Sequence, residues 1–273
     1  MNCYELAYNA LVARTIISGK IRSTRAGPTL STFGTILKID CLSRGEFPIL
    51  TQRKIFLGGV LGELAAFLRG ATDLKTFKDF GCNYWDANAE AWLRNKHATI
   101  GNMQVGKIYG YQWRKWDGYV DQLAELVTNL RTNPDSRRHL LTTYNPSEQH
   151  TACLPPCHIT AQFNSKDKVL DCCVYMRSVD LCLGLPSDVA LYAALMLVIC
   201  GQTDHTPGEL TFMMGDTHVY MNQVDTYQTH AERESFPLPQ YSLLPTTIDT
   251  FVPADLKLIN YQNAGVLQYA FSA

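Results

Sequence analysis

Residues 153–188 read CLPPCHITAQFNSKDKVLDCCVYMRSVDLCLGLPSD and gather most of the groups able to do chemistry. Cys157 follows Pro155-Pro156 and precedes His158. Two prolines restrict the backbone on the approach to the thiol and hold its side chain in one place. A thiol attacks as its thiolate, which requires a lowered pKa, and a nearby arginine can supply that. Arg177 lies at the far end of the second strand-like run and is placed to do so if the two runs pair. A Cys157–His158 dyad of the hydrolytic type is the competing reading. It is the weaker one, because adjacent strand residues face apart and no oxyanion-hole pattern accompanies them.

These groups must be held by the segments around them. Residues 139–144, 158–163 and 169–177 read as strands. Residues 186–201 read as a buried helix with a proline in its first turn. LTFMMGDTHVYMNQVD (210–225) reads as a strand running into a turn and helix, with Asp216, His218 and Tyr220 alternating toward one face. Upstream, residues 4–18 have helical apolar spacing. Arg22 and Arg25 flank a Gly-Pro turn ahead of an alternating strand from Thr29 to Ile39. KIFLGGVLGELAAFLRG (54–70) is a helix apolar on most sides with Glu63 in its middle. Such a carboxylate is either solvated at one edge or retained for a purpose. Residues 84–114, dense in aromatics and glycine, suit a loop-rich wall for a flat ligand, although a large core would look similar. Residues 121–131 form an amphipathic helix that ends at Asn133-Pro134. The Arg137-Arg138 pair that follows is either a solvated turn or an anion site.

The 273 residues carry a net charge of −1, 46% hydrophobic and 18% charged residues. That balance suits a soluble globular enzyme and gives no global field for a nucleic-acid polymer or an anionic membrane. No apolar run was expected to reach the roughly 20 residues of a membrane span, and the first residues lack the basic-then-apolar order of a signal peptide. With nine cysteines and no paired zinc spacing, the thiols read as reduced and cytoplasmic, with no metal site. Nothing divides the chain, so residues 1–273 are expected to form one domain.

LPPCH, MRSVDLCLGLP and GDTHVYMN, in this order and spacing, closely resemble thymidylate synthases. The likeness extends to TLSTFG, VLGEL, YWDAN, IYGYQWR and NPDSRR and so covers nearly the whole chain. It implies an α/β (α+β) fold with a large mixed sheet packed against helices and a sheet face at a homodimer interface. It also implies covalent one-carbon transfer with 5,10-methylenetetrahydrofolate as co-substrate. Cys157 would add to C6 of a pyrimidine ring, which makes C5 nucleophilic. Glu63 would be the buried acid/base, and Tyr109 would assist proton removal at C5. His158 joins the catalytic set beside the nucleophile. Arg177, Ser178 and Arg25, ahead of Arg22, would hold the substrate phosphate, with Arg137 and Arg138 reaching it from the partner subunit. His218 and Tyr220 would hold the sugar. Asp180, Trp85, Gly184 and Arg53 would serve the folate, Arg53 standing where the family has a lysine.

One departure bears on the substrate. Where the family pattern LGLP-x-N-x-A has asparagine, this chain has Asp188. In thymidylate synthases that amide reads uracil, accepting from N3–H and donating to O4. An ionised carboxylate only accepts, which suits the N4 amino group of cytosine, with one proton shared at N3. The expected substrate is therefore dCMP, with Asp188 as the base reader. Relatives of that kind, associated mainly with phages that modify their DNA, give either 5-methyl-dCMP and dihydrofolate or 5-hydroxymethyl-dCMP and tetrahydrofolate. Exclusion of water decides between them, and the full-length, mostly apolar tail after Tyr261 favours methylation. A dUMP-using enzyme and a nucleic-acid-binding non-enzyme are further readings. The filled catalytic positions and the absence of a basic surface disfavour the last.

Overall fold

In the computed structural model, the structure describes residues 1–95 and 104–271. The chain opens with α1 (Cys3–Ser18), started by Asn2, whose side chain accepts from the Glu5 N–H. The hairpin of β1 (Lys20–Thr24) and β2 (Gly27–Ile39) follows, then α2 (Leu57–Leu68), α3 (Leu74–Asp79) and α4 (Asp86–Asn95). Next come α5 (Tyr109–Lys115), α6 (Gln122–Thr132), β3 (Leu140–Thr142), β4 (His158–Lys166) and β5 (Val169–Asp180). The long helix α7 (Gly184–Thr203), β6 (Thr206–Tyr220), α8 (Val224–Glu232) and the small pair β7 (Gln240–Leu243) and β8 (Leu256–Ile259) complete it.

Six strands form one mixed sheet in the order β1-β2-β6-β5-β4-β3. Every pairing is antiparallel except β5 with β6, which run parallel because α7 crosses between them. A parallel pair needs a crossover of this kind. The strands alternate: Thr29, Ser31, Thr35, Leu37 and Ile39 of β2 turn inward, while Ile36 and Lys38 turn outward. Inward residues pack against α7 and its helical neighbours in a core that includes Leu37, Val174, Met176, Phe212 and Met214. On the other face Ile36, Met213 and Tyr175 stand side by side across three strands and remain exposed.

Helix α7 is apolar all round, and its burial is what that composition demands of a core helix. Contrary to expectation, it is long and apolar enough to cross a membrane by length and composition, but its residues are mostly buried in the fold. The region 84–114 also departs from the expected loop. Its described parts contain α4 and α5, and residues 96–103 lie outside the described residues. In α5, Tyr109 and Trp113, four residues apart, share the buried side. Gly110 lets this helix press onto α2, because a β-carbon there would collide with the Phe67 backbone.

Candidate active site

The start of β4 and the ends of β5 and β6 meet near the first turn of α7 and the middle of α2. Cys157 sits just before β4, half-buried. Its N–H donates to the Tyr109 hydroxyl oxygen at 2.9 Å, and its carbonyl accepts from the Arg177 N–H at 2.8 Å. The two strands therefore pair as expected. The Arg177 guanidinium donates to the carbonyls of Pro156 (2.7 Å) and Pro155 (2.8 Å), so it grips the loop that carries the thiol. Arg177 draws the thiol pKa down, but burial outweighs it and the net displacement is upward. The expected lowering is thus present as a component and reversed in the balance, since taking an anion out of water is the larger effect.

Glu63 is buried in α2, with the Trp85 indole N–H donating to one carboxylate oxygen (2.6 Å) and the Tyr84 hydroxyl to the other (2.8 Å). Burial pushes its pKa up to about 7, against these two bonds. That is a group able to take or give a proton near neutrality. Trp85, expected at the folate, is itself buried and serves Glu63 directly.

Asp188 faces the same space from α7. Its side chain keeps 21% exposure, and His158 Nε2 lies 4.0 Å from its Oδ1. Burial, then the carboxyls of Glu63 and Asp180, push it well above the carboxylate range, which favours its protonated form. His158 is stacked on Tyr109 (centroids 3.9 Å, 12°) and bonded through Nδ1 to the Tyr192 hydroxyl at 2.7 Å. Burial depresses its pKa to about 3. A neutral ring tied away into the core has no contact with the Cys157 thiol among the described hydrogen bonds, which removes the footing of a Cys/His dyad.

On the sheet side Asp216 accepts from Ser31 Oγ (3.1 Å), from Arg22 and from His218 Nδ1 (3.0 Å). It thereby fixes the His218 ring, which meets Tyr220 edge-on at 5.2 Å. Arg22 is committed to Asp216, whereas Arg25, in the β1–β2 turn, lies near enough to Tyr220 to lower its pKa against burial. Ser178 stands opposite Asp216, and Asp180 opposite His218. Asp180 Oδ1 accepts from the N–H groups of Cys182 (2.9 Å) and Leu183 (3.2 Å), which shapes the turn into α7 beside Gly184.

Two groups are not brought in. Arg53 is buried, donates to the Cys182 carbonyl and stacks under the Tyr269 ring at 5.1 Å. It braces the tail from inside. Arg137 and Arg138 are exposed ahead of β3. His139 accepts from the Phe163 N–H, so Arg138 lies about level with Asn164 on β4. Seven residues separate that level from Cys157, or roughly 23 Å at about 3.3 Å per strand residue.

The thymidylate synthase family model matches residues 6–273. The chain belongs to the thymidylate synthase family. It is 36% identical over 274 residues to a bifunctional dihydrofolate reductase-thymidylate synthase of Glycine max, covering 94% of this chain and 51% of that one. It is 35% identical over 274 residues to bifunctional dihydrofolate reductase-thymidylate synthase 2 of Arabidopsis thaliana, covering 94% of this chain and 48% of that one. The chain therefore spans about half the length of these curated relatives. The family's co-substrate is 5,10-methylenetetrahydrofolate. Sequence reasoning did not single out Tyr84, Tyr192, Asp216 as an anchor, or Gln223, which donates to the Ala270 carbonyl (3.0 Å) and more weakly to Asp180 (3.4 Å). Only Asp216 carried a signal, in its alternation with His218 and Tyr220.

Proposed function

We propose that this chain transfers a one-carbon unit from 5,10-methylenetetrahydrofolate to C5 of dCMP, with residues 1–273 acting as one catalytic domain. The observation that carries this reading is Asp188, a carboxyl open to the site, with burial favouring its protonated form, in a family whose pattern has asparagine there. Cytosine offers N3 as acceptor and N4–H as donor, which a carboxylic acid complements with its O–H and its C=O. The shared proton is at home on either partner, since N3 and the carboxylate are both basic. When Cys157 adds to C6, N3 gains basicity, so the contact strengthens as the reaction proceeds. Comparison of dCMP and dUMP turnover tests this, and a clear preference for dUMP overturns it. Asp188→Asn is expected to shift preference toward dUMP.

Cys157 acts as the nucleophile, Glu63 exchanges the protons, and Tyr109 both seats the Cys157 backbone and faces C5. Arg177, Ser178 and Arg25 bind the phosphate, and His218 and Tyr220 the sugar. Asp180 and Gly184 border the folate. Two observations support a homodimer: the exposed Ile36–Met213–Tyr175 row, and the distance that keeps Arg137 and Arg138 from their own chain's thiol. In this reading they complete the partner's phosphate site.

For the product we favour 5-methyl-dCMP with dihydrofolate. The tail is held at many points: Arg233 donates to the carbonyls of Ala264, Gly265 and Val266, Tyr269 bonds His230 at 2.9 Å, and Gln223 holds Ala270. Ser272 and Ala273 lie outside the described residues. A tail so fixed favours a dry site and hydride over water. Dihydrofolate absorbance rising with dCMP consumption checks it, and product without that rise means hydroxymethylation. A second reading, dUMP methylation, draws on the protonated form of the same carboxyl, which could instead accept from uracil N3–H and donate to O4, and on the names of the relatives. It requires the proton to stay on Asp188 against a weakly basic carbonyl.

A further inference from the structure

We propose that Tyr192 is a positioning residue that sets the direction in which Asp188 reads the base, acting through the tautomer of His158; this rests on the reading of Asp188 as the base-recognition group. Tyr192 follows Asp188 by one helical turn in α7, with 1% of its surface exposed, edge-on to Trp113 and Phe212. Among the described residues its hydroxyl has one hydrogen-bond partner, His158 Nδ1 at 2.7 Å. Were Nδ1 to carry the hydrogen, the Tyr192 O–H would be buried with no acceptor, an arrangement folded proteins avoid. The hydroxyl therefore donates and Nδ1 accepts. A neutral imidazole has one N–H, so it lies on Nε2.

Stacking on Tyr109 holds the ring plane, and Nε2 stands 4.0 Å from Asp188 Oδ1. One bridging water or a small turn of the carboxyl closes that gap. The ionisable groups electrostatically coupled to Asp188 are Glu63 from α2, Asp180 from β5, Cys157 ahead of β4, Tyr109 from α5 and Tyr192 from its own helix. Their O–H and S–H protons can rotate, whereas the Nε2–H is fixed in direction by the Tyr192 bond and the Tyr109 stack. Oδ1 is thereby kept as the acceptor, and in the protonated form of Asp188 the hydrogen rests on Oδ2. An unconstrained carboxylic acid can present donor and acceptor in either order and so complement cytosine or uracil. A histidine N–H pinned to one oxygen removes that symmetry, and Tyr192 is what pins the histidine.

The test uses the full chain labelled with ¹⁵N-histidine. The free and dCMP-bound protein should show His158 as the Nε2–H tautomer, and an Nδ1–H tautomer in the wild type overturns the proposal whether or not any variant folds. In Tyr192→Phe the tautomer should become mixed, and the dCMP-over-dUMP ratio of kcat/KM should fall by about tenfold, or ~1.4 kcal/mol. Asp188→Asn separates the two readings. If it leaves base preference unchanged, the assignment of Asp188 itself fails. If it shifts preference while Tyr192→Phe changes neither tautomer nor ratio, the role of Tyr192 alone is refuted.

Discussion

Trp85→Phe should move the acid limb of the pH–rate profile upward while keeping the Glu63 carboxyl proposed to exchange the protons. The Trp85 N–H is one of two donors on Glu63, at 2.6 Å, and the other is the Tyr84 hydroxyl at 2.8 Å. Both favour the ionised form against burial, and the balance rests at about 7. A hydrogen bond to a charged group contributes roughly 1.5–3 kcal/mol net, and one pKa unit corresponds to about 1.4 kcal/mol. Removing this donor should raise the Glu63 midpoint by roughly one to two units. Phenylalanine keeps most of the ring volume, so the packing against Phe77 and Tyr109 survives. The assay is the initial rate of dCMP-dependent product formation at saturating folate across neutral pH. The limb that needs ionised Glu63 should shift to higher pH, with the plateau rate largely retained. A limb that stays in place in a folded Trp85→Phe protein would refute the assignment of Glu63 as the group titrating near 7.

Other outcomes follow from the same geometry. Mixing Cys157→Ser with Arg137→Ala/Arg138→Ala, each inactive alone, should restore activity, because a heterodimer keeps one site with intact thiol and intact partner arginines; no recovery refutes shared sites. Met213→Asp, which places a charge in the exposed sheet row, should shift the sedimentation profile to monomer and abolish turnover. Arg25→Ala should raise the KM for the nucleotide more than Arg22→Ala does, since Arg22 is already engaged by Asp216. Tyr269→Phe, which frees the tail from His230, should raise the share of hydroxymethyl product measured by chromatography.

Much of this site was legible because its residues sit in contiguous patterns. Cys157 behind two prolines, Glu63 on an otherwise apolar helix, and the Asp216-His218-Tyr220 alternation each announce themselves within a few positions. What stayed hidden depends on partners distant in sequence. Tyr84 reads as one aromatic among many until α4 brings it to Glu63, and Tyr192 reads as core until β4 places His158 against it. The aromatic and glycine density of IYGYQWR concealed a helix, because its buried positions four apart are tyrosine and tryptophan and the intervening glycine is there for contact with Phe67. The surroundings of Arg53 were hidden for a different reason. A cation in a family position suggests an anion, and nothing local reveals that the Cys182 carbonyl and Tyr269 ring enclose it. The sign of the Cys157 displacement was equally out of reach, since burial is a property of the whole fold.

The acids of this site are displaced upward together, and that has a consequence for stability. Cys157, Glu63 and Asp188 are all pushed upward, in each case first by burial. A group whose folded pKa lies above its unfolded value contributes stability below the unfolded pKa and loses it as pH rises through the folded one. For Glu63 the move from 4.5 to about 7 corresponds, at about 1.4 kcal/mol per pH unit, to roughly 3.5 kcal/mol withdrawn between those two values. Glutamine at position 63 does not titrate. Its single acceptor oxygen cannot satisfy both Trp85 and Tyr84, but that deficit is the same at every pH. Thermal unfolding of Glu63→Gln and wild type should therefore give curves of Tm against pH that converge as pH rises from mildly acidic to above neutral, the variant gaining relative to wild type. Curves that run parallel through that window would mean that Glu63 is ionised throughout, and the burial argument for its acid/base role would fall with them.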